Sequence, residues 1–359
     1  MAPYTILSCA VSLDGYLDDA TDQRLVLSNE ADLDRVDEVR AGCDAILVGA
    51  TTIRRDDPRL TIRDPVRRAL RAVNGEPEDP LRVTLTASGD LDPGRRFFAP
   101  GPVRPLVYTP DPQCLDGRLD RAATVVAADN LDEVLKDLSG RGVRRLLVEG
   151  GGRVLTQFLC GGYADELHLA VAPLFVGDPR APRWLRAGAA PAGRLWLAET
   201  RAIGDVVLLR YLLSEAAVDR HWLQCAIDES RRCPPSDTAF SVGAVVVSAD
   251  GRELSRGYSR EGDPLVHAEE SALSKVDGPA DGATLYSSLE PCSARASRPV
   301  SCAQLIRDAG IRRVVYAWRE PMLFVDGQGV EELRAAGIDV VEVPDLGRQA
   351  RSVNAHLLR

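Results

Sequence analysis

His267-Ala268-Glu269, Pro291-Cys292-Ser293 and Cys302 supply one imidazole, one carboxylate and two thiols within a short span. A zinc ion held tetrahedrally by one nitrogen and two sulfurs keeps its fourth position for water. Glu269, two residues past His267, can move protons without binding the metal. This set suits hydrolysis in which metal-activated water adds to an amidine carbon and ammonia leaves. The bland alternative is two buried thiols and a surface histidine. The H-x-E…P-C order of the four groups argues against it.

Such groups must be placed by elements. The sequence predicts a helix opening at His267 and continuing through Leu273, which sets His267 and Glu269 at a pocket rim. Thr284–Ser287 reads as a central strand. Cys292 is expected to begin the turn at the next helix, where a thiol ionises more readily. Around them, His221–Arg232 reads as a helix and Val242–Val247 as a strand. Ala249-Asp250-Gly251-Arg252 reads as a hairpin turn into Glu253–Tyr258. Val314–Ala317 and Val340–Val343 read as later strands.

The first 213 residues alternate apolar strands and helices, the signature of an α/β class. Expected strands are Tyr4–Val11, Ala45–Val48, Leu81–Ala87, Pro105–Thr109, Arg145–Val148, Leu167–Ala172 and Val206–Leu212. Expected helices are Asn29–Cys43, Leu131–Leu138 and Val154–Leu159. Gly49-Ala50-Thr51-Thr52 ends a strand in a glycine and hydroxyls before a helix, a way to hold phosphate that ordinary turns share. Glu149-Gly150-Gly151-Gly152 lets a backbone approach a pyrophosphate, although the G-x-G-x-x-G fingerprint is missing. Arg54–Arg63 is a charged loop in which Asp56 and Asp57 stand among arginines. It can grip an anion and orient a hydroxyl, or it can be a solvated loop.

A length of 359 residues suits two domains of ordinary size, and 45% hydrophobic content suits packed cores. A net charge of −9 argues against a nucleic-acid partner. Eight scattered cysteines argue against a disulfide framework and for reduced thiols. The N-terminus lacks the features of a signal peptide, and no run approaches membrane-helix length. A cytoplasmic protein with no membrane partner is expected. Ser214–Val218 is read as a short linker, giving domains 1–213 and 219–359.

A-V-S-L-D-G, D-A-I-L-V-G-A-T-T, D-D-P-R-L-T-I-R and L-L-V-E-G-G-G resemble, in order, the reductase domain of riboflavin biosynthesis. The resemblance implies a dihydrofolate-reductase-like fold that uses NADPH to reduce an opened ribosylamine to a ribityl chain. It implies that Thr51, Thr52, Gly150 and Gly151 sit at the cofactor. Ser12, Asp57, Arg63 and Glu149 would face a phosphorylated sugar, with Asp57 and Glu149 as alternative proton donors. The C-terminal region resembles the cytidine-deaminase-like α/β/α fold, and within it the zinc-dependent pyrimidine deaminases of the same pathway. E-P-C-S, nine residues between Cys292 and Cys302, R-R-V-V-Y-A-W and G-V-E-E-L-R-A-A-G-I-D-V carry that likeness.

Together these imply a bifunctional deaminase and reductase acting on a small phosphorylated diaminopyrimidinone, with zinc at His267, Cys292 and Cys302 and Glu269 as proton shuttle. Both families usually assemble, so a homo-oligomer, a dimer, is expected. Two features depart from the bacterial pattern. A-F-S-V-G-A (239–244) replaces P-N-P-x-V-G-A, and the reductase comes first. They keep open a paralogue with another nucleotide substrate, or a chain in which one domain is an inactive scaffold.

Overall fold

The computed structural model describes residues 2–358 except 22, 116, 187–192, 296, 297 and 320–327. The chain divides into two compact units, Met1–Ser214 and Glu215–Arg359.

In the first unit the elements run β1 (Tyr4–Ser12), α1 (Glu30–Ala41), β2 (Ala45–Gly49), α2 (Ala50–Asp56), α3 (Pro65–Val73), β3 (Leu81–Leu85) and β4 (Leu106–Thr109). They continue with the single turn α4 (Leu119–Ala122), β5 (Thr124–Ala127), α5 (Leu131–Gly140), β6 (Arg145–Gly150), α6 (Gly152–Cys160), β7 (Glu166–Ala172), β8 (Trp196–Ile203) and β9 (Val206–Leu212). The strands form one sheet in the order β5-β4-β3-β2-β6-β1-β7-β9-β8. All neighbours from β5 to β7 are parallel, and only β9 runs against β7 and β8.

The apolar runs of the central strands are continuous because both sheet faces are covered. Side chains alternate between two cores: Leu7, Leu47, Leu146 and Val148 pack on one side, Ile6, Ile46, Val48 and Leu147 on the other. This is the α/β architecture expected for a dihydrofolate-reductase-like domain. Four elements escaped the sequence reading: β5, the edge strand β8, helix α3 and the single turn α4. The segment expected to be a loop from Arg54 is helical as far as Asp56.

The second unit contains α7 (Glu215–Ser230), β10 (Gly243–Val247), β11 (Glu253–Tyr258), α8 (Ala268–Ser274), β12 (Thr284–Ser287), α9 (Cys302–Asp308), β13 (Arg313–Tyr316), α10 (Gly329–Ala335), β14 (Asp339–Glu342) and α11 (Gly347–Val353). Its sheet has the order β11-β10-β12-β13-β14, with β12 central. The hairpin β10–β11 is antiparallel, and β12, β13 and β14 are mutually parallel. Residues 215–218, read as a linker, form the first turn of α7, where Ala217 is fully buried. No described helix is long and apolar enough to cross a membrane.

Candidate active sites

His267 is the N-cap of α8, in extended conformation (φ −88°, ψ 159°), so its ring stands clear of the helix. Glu269 lies in the first turn and is 3% exposed. Cys292 sits in the loop after β12. That loop is held by Glu290, whose backbone N–H donates to Trp318 O (2.9 Å) and whose carboxylate accepts from Val330 N (3.1 Å). Cys302 is the first residue of α9, behind Ser301, whose hydroxyl accepts from Gln304 N. The helix-terminal thiol is therefore Cys302. The expectation that Cys292 begins the next helix is corrected, because the nine residues between the cysteines contain no described helix.

His267 Nδ1 lies 3.7 Å from Cys292 Sγ and 3.5 Å from Cys302 Sγ. Zinc at ordinary N and S bond lengths in a tetrahedron separates such atoms by about 3.6 Å. The three groups thus fit zinc, and they form the candidate metal cluster found among the described residues. The pairing of the two thiols, with His267 alongside, lowers the Cys292 thiol below its ordinary range. That pairing, burial and Glu269 push Cys302 up. A metal bound here would take both as thiolates.

Glu269 Oε1 accepts a hydrogen bond from Ser287 Oγ at 2.7 Å, and Oε2 accepts from Cys302 Sγ at 3.3 Å. Burial raises its carboxyl above the usual range against the pull of His267. Arg295 ties the loop down by donating to Glu270 (2.7 Å) and Val300 O (2.7 Å). Ser287 and Arg295 carry no motif of their own, and the sequence reading missed them; Glu290 opens the E-P-C-S motif, but its hold on the loop was not foreseen.

In the first unit a cleft of about 1080 Å³ opens at the C-terminal ends of the parallel strands. This is where open α/β sheets bind ligands. Thr51, Thr52, Glu149, Gly150 and Gly151 all line it. Gly150 (φ 153°) and Gly151 (φ 55°) adopt backbone that side chains resist, and a Cβ there would lie 3.7 and 3.4 Å from Thr52 Oγ1. The bare backbone makes a cradle that fits a dinucleotide pyrophosphate at the start of α6.

Three residues expected at the sugar lie elsewhere. Ser12 is 1% exposed, with its hydroxyl donating to Asp14 and accepting from Tyr16 N. Asp57, at the left-handed C-cap of α2 (φ 42°), turns away from the cleft and accepts from Arg96 N at 2.6 Å. Arg63 borders a separate depression with Glu30, Asp34, Asp37 and Asp64. The cleft carboxylate from this segment is Asp56, raised by burial. Glu149 lines the cleft, but both its oxygens accept from Arg40, at 2.7 and 2.6 Å. That fork suits an orienting charge better than a proton donor.

Fold and sites define a two-domain enzyme, one domain shaped for a dinucleotide and one for hydrolytic zinc chemistry. Residues 3–209 match the RibD C-terminal domain, and the chain belongs to that family. Residues 216–318 match the cytidine and deoxycytidylate deaminase zinc-binding region. The chain is 35% identical over 223 residues to the 2,5-diamino-6-ribosylamino-4(3H)-pyrimidinone 5′-phosphate reductase of Methanothermobacter thermautotrophicus, covering 59% of this chain and 98% of that one. It is 46% identical over 122 residues to the diaminohydroxyphosphoribosylamino-pyrimidine deaminase of Schizosaccharomyces pombe, covering 33% of this chain and only 30% of that one. The fold of a pyrimidine reductase-like protein from Corynebacterium diphtheriae overlays 59% of this chain and 92% of its own, with a TM-score of 0.52 at 23% identity.

Proposed function

We propose that the chain performs two steps of riboflavin biosynthesis on one small phosphorylated pyrimidine. The second unit exchanges the amino group of a diaminopyrimidinone ribosyl or ribityl phosphate for oxygen from water, releasing ammonia. The first reduces the ribosyl chain to ribityl with NADPH. The observation that carries the reading is the buried Glu269 beside a triad whose spacing fits zinc. The names of the reductase and deaminase relatives, both matched within one chain, support it.

Zinc, bound by His267, Cys292 and Cys302, supplies Lewis acidity that makes water a nucleophile near neutral pH. Glu269 takes one proton from the attacking water to the ring nitrogen, and then carries the second, from the hydroxyl added to carbon, to the departing amine, which leaves as ammonia. Ser287 holds the carboxylate for both transfers. In the reductase, Gly150 and Gly151 admit the cofactor backbone and Thr51 and Thr52 offer hydroxyls. NADPH supplies hydride. Asp56 is placed to bind a sugar hydroxyl or protonate the ring-opened sugar, and Glu149 orients it. The enzyme is read as cytosolic, without a nucleic-acid partner, and homo-oligomeric.

The test is zinc-loaded protein with the diaminopyrimidinone ribosylamine phosphate, following ammonia and NADPH separately. Both signals are expected. Ammonia alone makes the first unit an inactive partner, and neither signal moves the enzyme to another nucleotide.

A further inference from the structure

Residues 239–241 belong to no helix or strand, yet side chains from two distant parts of the second unit hold their backbone. Asn354, at the C-terminal end of α11, is 2% exposed. It faces Ser241 as a neighbouring strand would. Its Oδ1 accepts from Ser241 N (2.6 Å) and its Nδ2 donates to Ser241 O (3.0 Å). Arg260 donates to Pro234 O (2.7 Å), Phe240 O (3.0 Å) and Ser241 Oγ (3.1 Å). Its backbone is left-handed (φ 66°), a conformation an arginine keeps only where its surroundings enforce it. The Arg260 N–H donates to Val266 O (2.8 Å), the carbonyl just before His267. One residue thus ties the segment to the peptide that presents His267.

The segment is tied equally to the loop that carries Cys292. Gly243 N donates to Ser288 Oγ (3.1 Å) and Ser288 N to Gly243 O (3.0 Å), one residue beyond the Ser287 that holds Glu269. The Phe240 ring meets Trp318 edge-on at 5.3 Å, and Trp318 O accepts from Glu290 N. Residues 239–241 therefore border the metal cluster.

We propose that Arg260 and Asn354 are positioning residues of the deaminase, setting residues 239–241 as a preformed wall against which the pyrimidine ring binds. The proposal rests on the deaminase reading above. Ser241 is buried and outside the sheet, so its N–H and C=O need a partner, and Asn354 supplies both. Removing that partner shifts the wall. Glu269, Ser287 and Cys302 are placed by α8, β12 and α9, so the chemistry stays in register when the wall moves. A surface that binds ground state and transition state alike changes KM rather than kcat.

The experiment compares the zinc-loaded full chain with Asn354→Ala and Arg260→Lys. Ammonia release from the diaminopyrimidinone ribosylamine phosphate is measured beside zinc content and amide hydrogen exchange. Each variant is expected to keep its zinc and to raise KM about tenfold, with kcat within about threefold of wild type. In Asn354→Ala, exchange at Ser241 is expected to accelerate while Val245 and Val246 stay protected. Arg260→Lys keeps the charge but not the forked donors, and it decides the matter if Asn354→Ala does not fold. Wild-type KM in both variants, kcat falling at constant KM, or zinc lost from both overturns the proposal. A wild type that releases no ammonia overturns the deaminase reading and the substrate wall with it, whereas exchange at Ser241 then still decides the clamp.

Discussion

Ser287, on the central strand of the second unit, donates a 2.7 Å hydrogen bond to Glu269 in the first turn of α8. The strand thus fixes one carboxylate oxygen and leaves the other facing the metal cluster. Glu269→Gln is expected to keep stoichiometric zinc and lose deamination by about 10²–10⁴-fold, the usual worth of a positioned acid–base group. Ser287→Ala, which only loosens the carboxylate, is expected to lose less. Zinc content measured beside ammonia release separates these effects from loss of the metal.

Gly329 is a second control on the same site. A methyl group there would overlap the Pro291 carbonyl, 1.8 Å from the ideal Cβ position. The peptide leading to Cys292 must then shift. Gly329→Ala is expected to lower zinc occupancy at limiting metal and to leave NADPH oxidation untouched. Full zinc retention by this variant would mean that the loop absorbs the strain.

Adjacent aspartates separate two readings of the reductase. Asp56 lines the cleft, whereas Asp57 holds Arg96. Asp56→Asn is expected to reduce the reductase rate at least tenfold with the fold intact. Asp57→Asn is expected to act mainly on stability, by about 1 kcal/mol for a lost, partly exposed hydrogen bond. The opposite ranking in kcat would return the role to Asp57.

Glu166 offers a pH test. Burial alone would raise its carboxyl, but hydrogen bonds from His168 and Tyr4 and the charge of Arg210 lower it to about 2. A depressed carboxyl stabilises the fold fully above its ordinary value of 4.5. That stabilisation, on the order of 3 kcal/mol, is lost as pH falls from there through about 2. Glu166→Gln should flatten this dependence. Hydrogen exchange at the amides of β1 and β7 reads it in the first unit alone.

The sheets were legible wherever strands are apolar on both faces, as from Ala45 to Gly49, because periodicity and burial then agree. Strand β8 was not, since Glu199 and Arg201 interrupt an edge strand that buries no full face. Helix α3 hid because its apolar residues turn outward, although Asp64 before Pro65 is a helix-start signal. At the zinc site, residue types and order sufficed. The placement of the thiols did not follow, yet Ser301 three residues before Gln304 has the form of a capping box and marks Cys302 as the helix start. Asp56 and Asp57 could not be told apart in sequence, because a left-handed turn at Asp57 decides which of them faces the cleft.

The Arg40–Glu149 fork sets terms for any inhibitor of the reductase cleft. A compound that engages Glu149 targets a charge the protein cannot readily surrender. Substituting it would strand the Arg40 guanidinium, whose side chain is only 19% exposed, at a cost of about 3–5 kcal/mol when such a partner is lost. Escape by mutation would therefore require two simultaneous changes, on α1 and on β6, and that makes this wall of the cleft a durable point of attack.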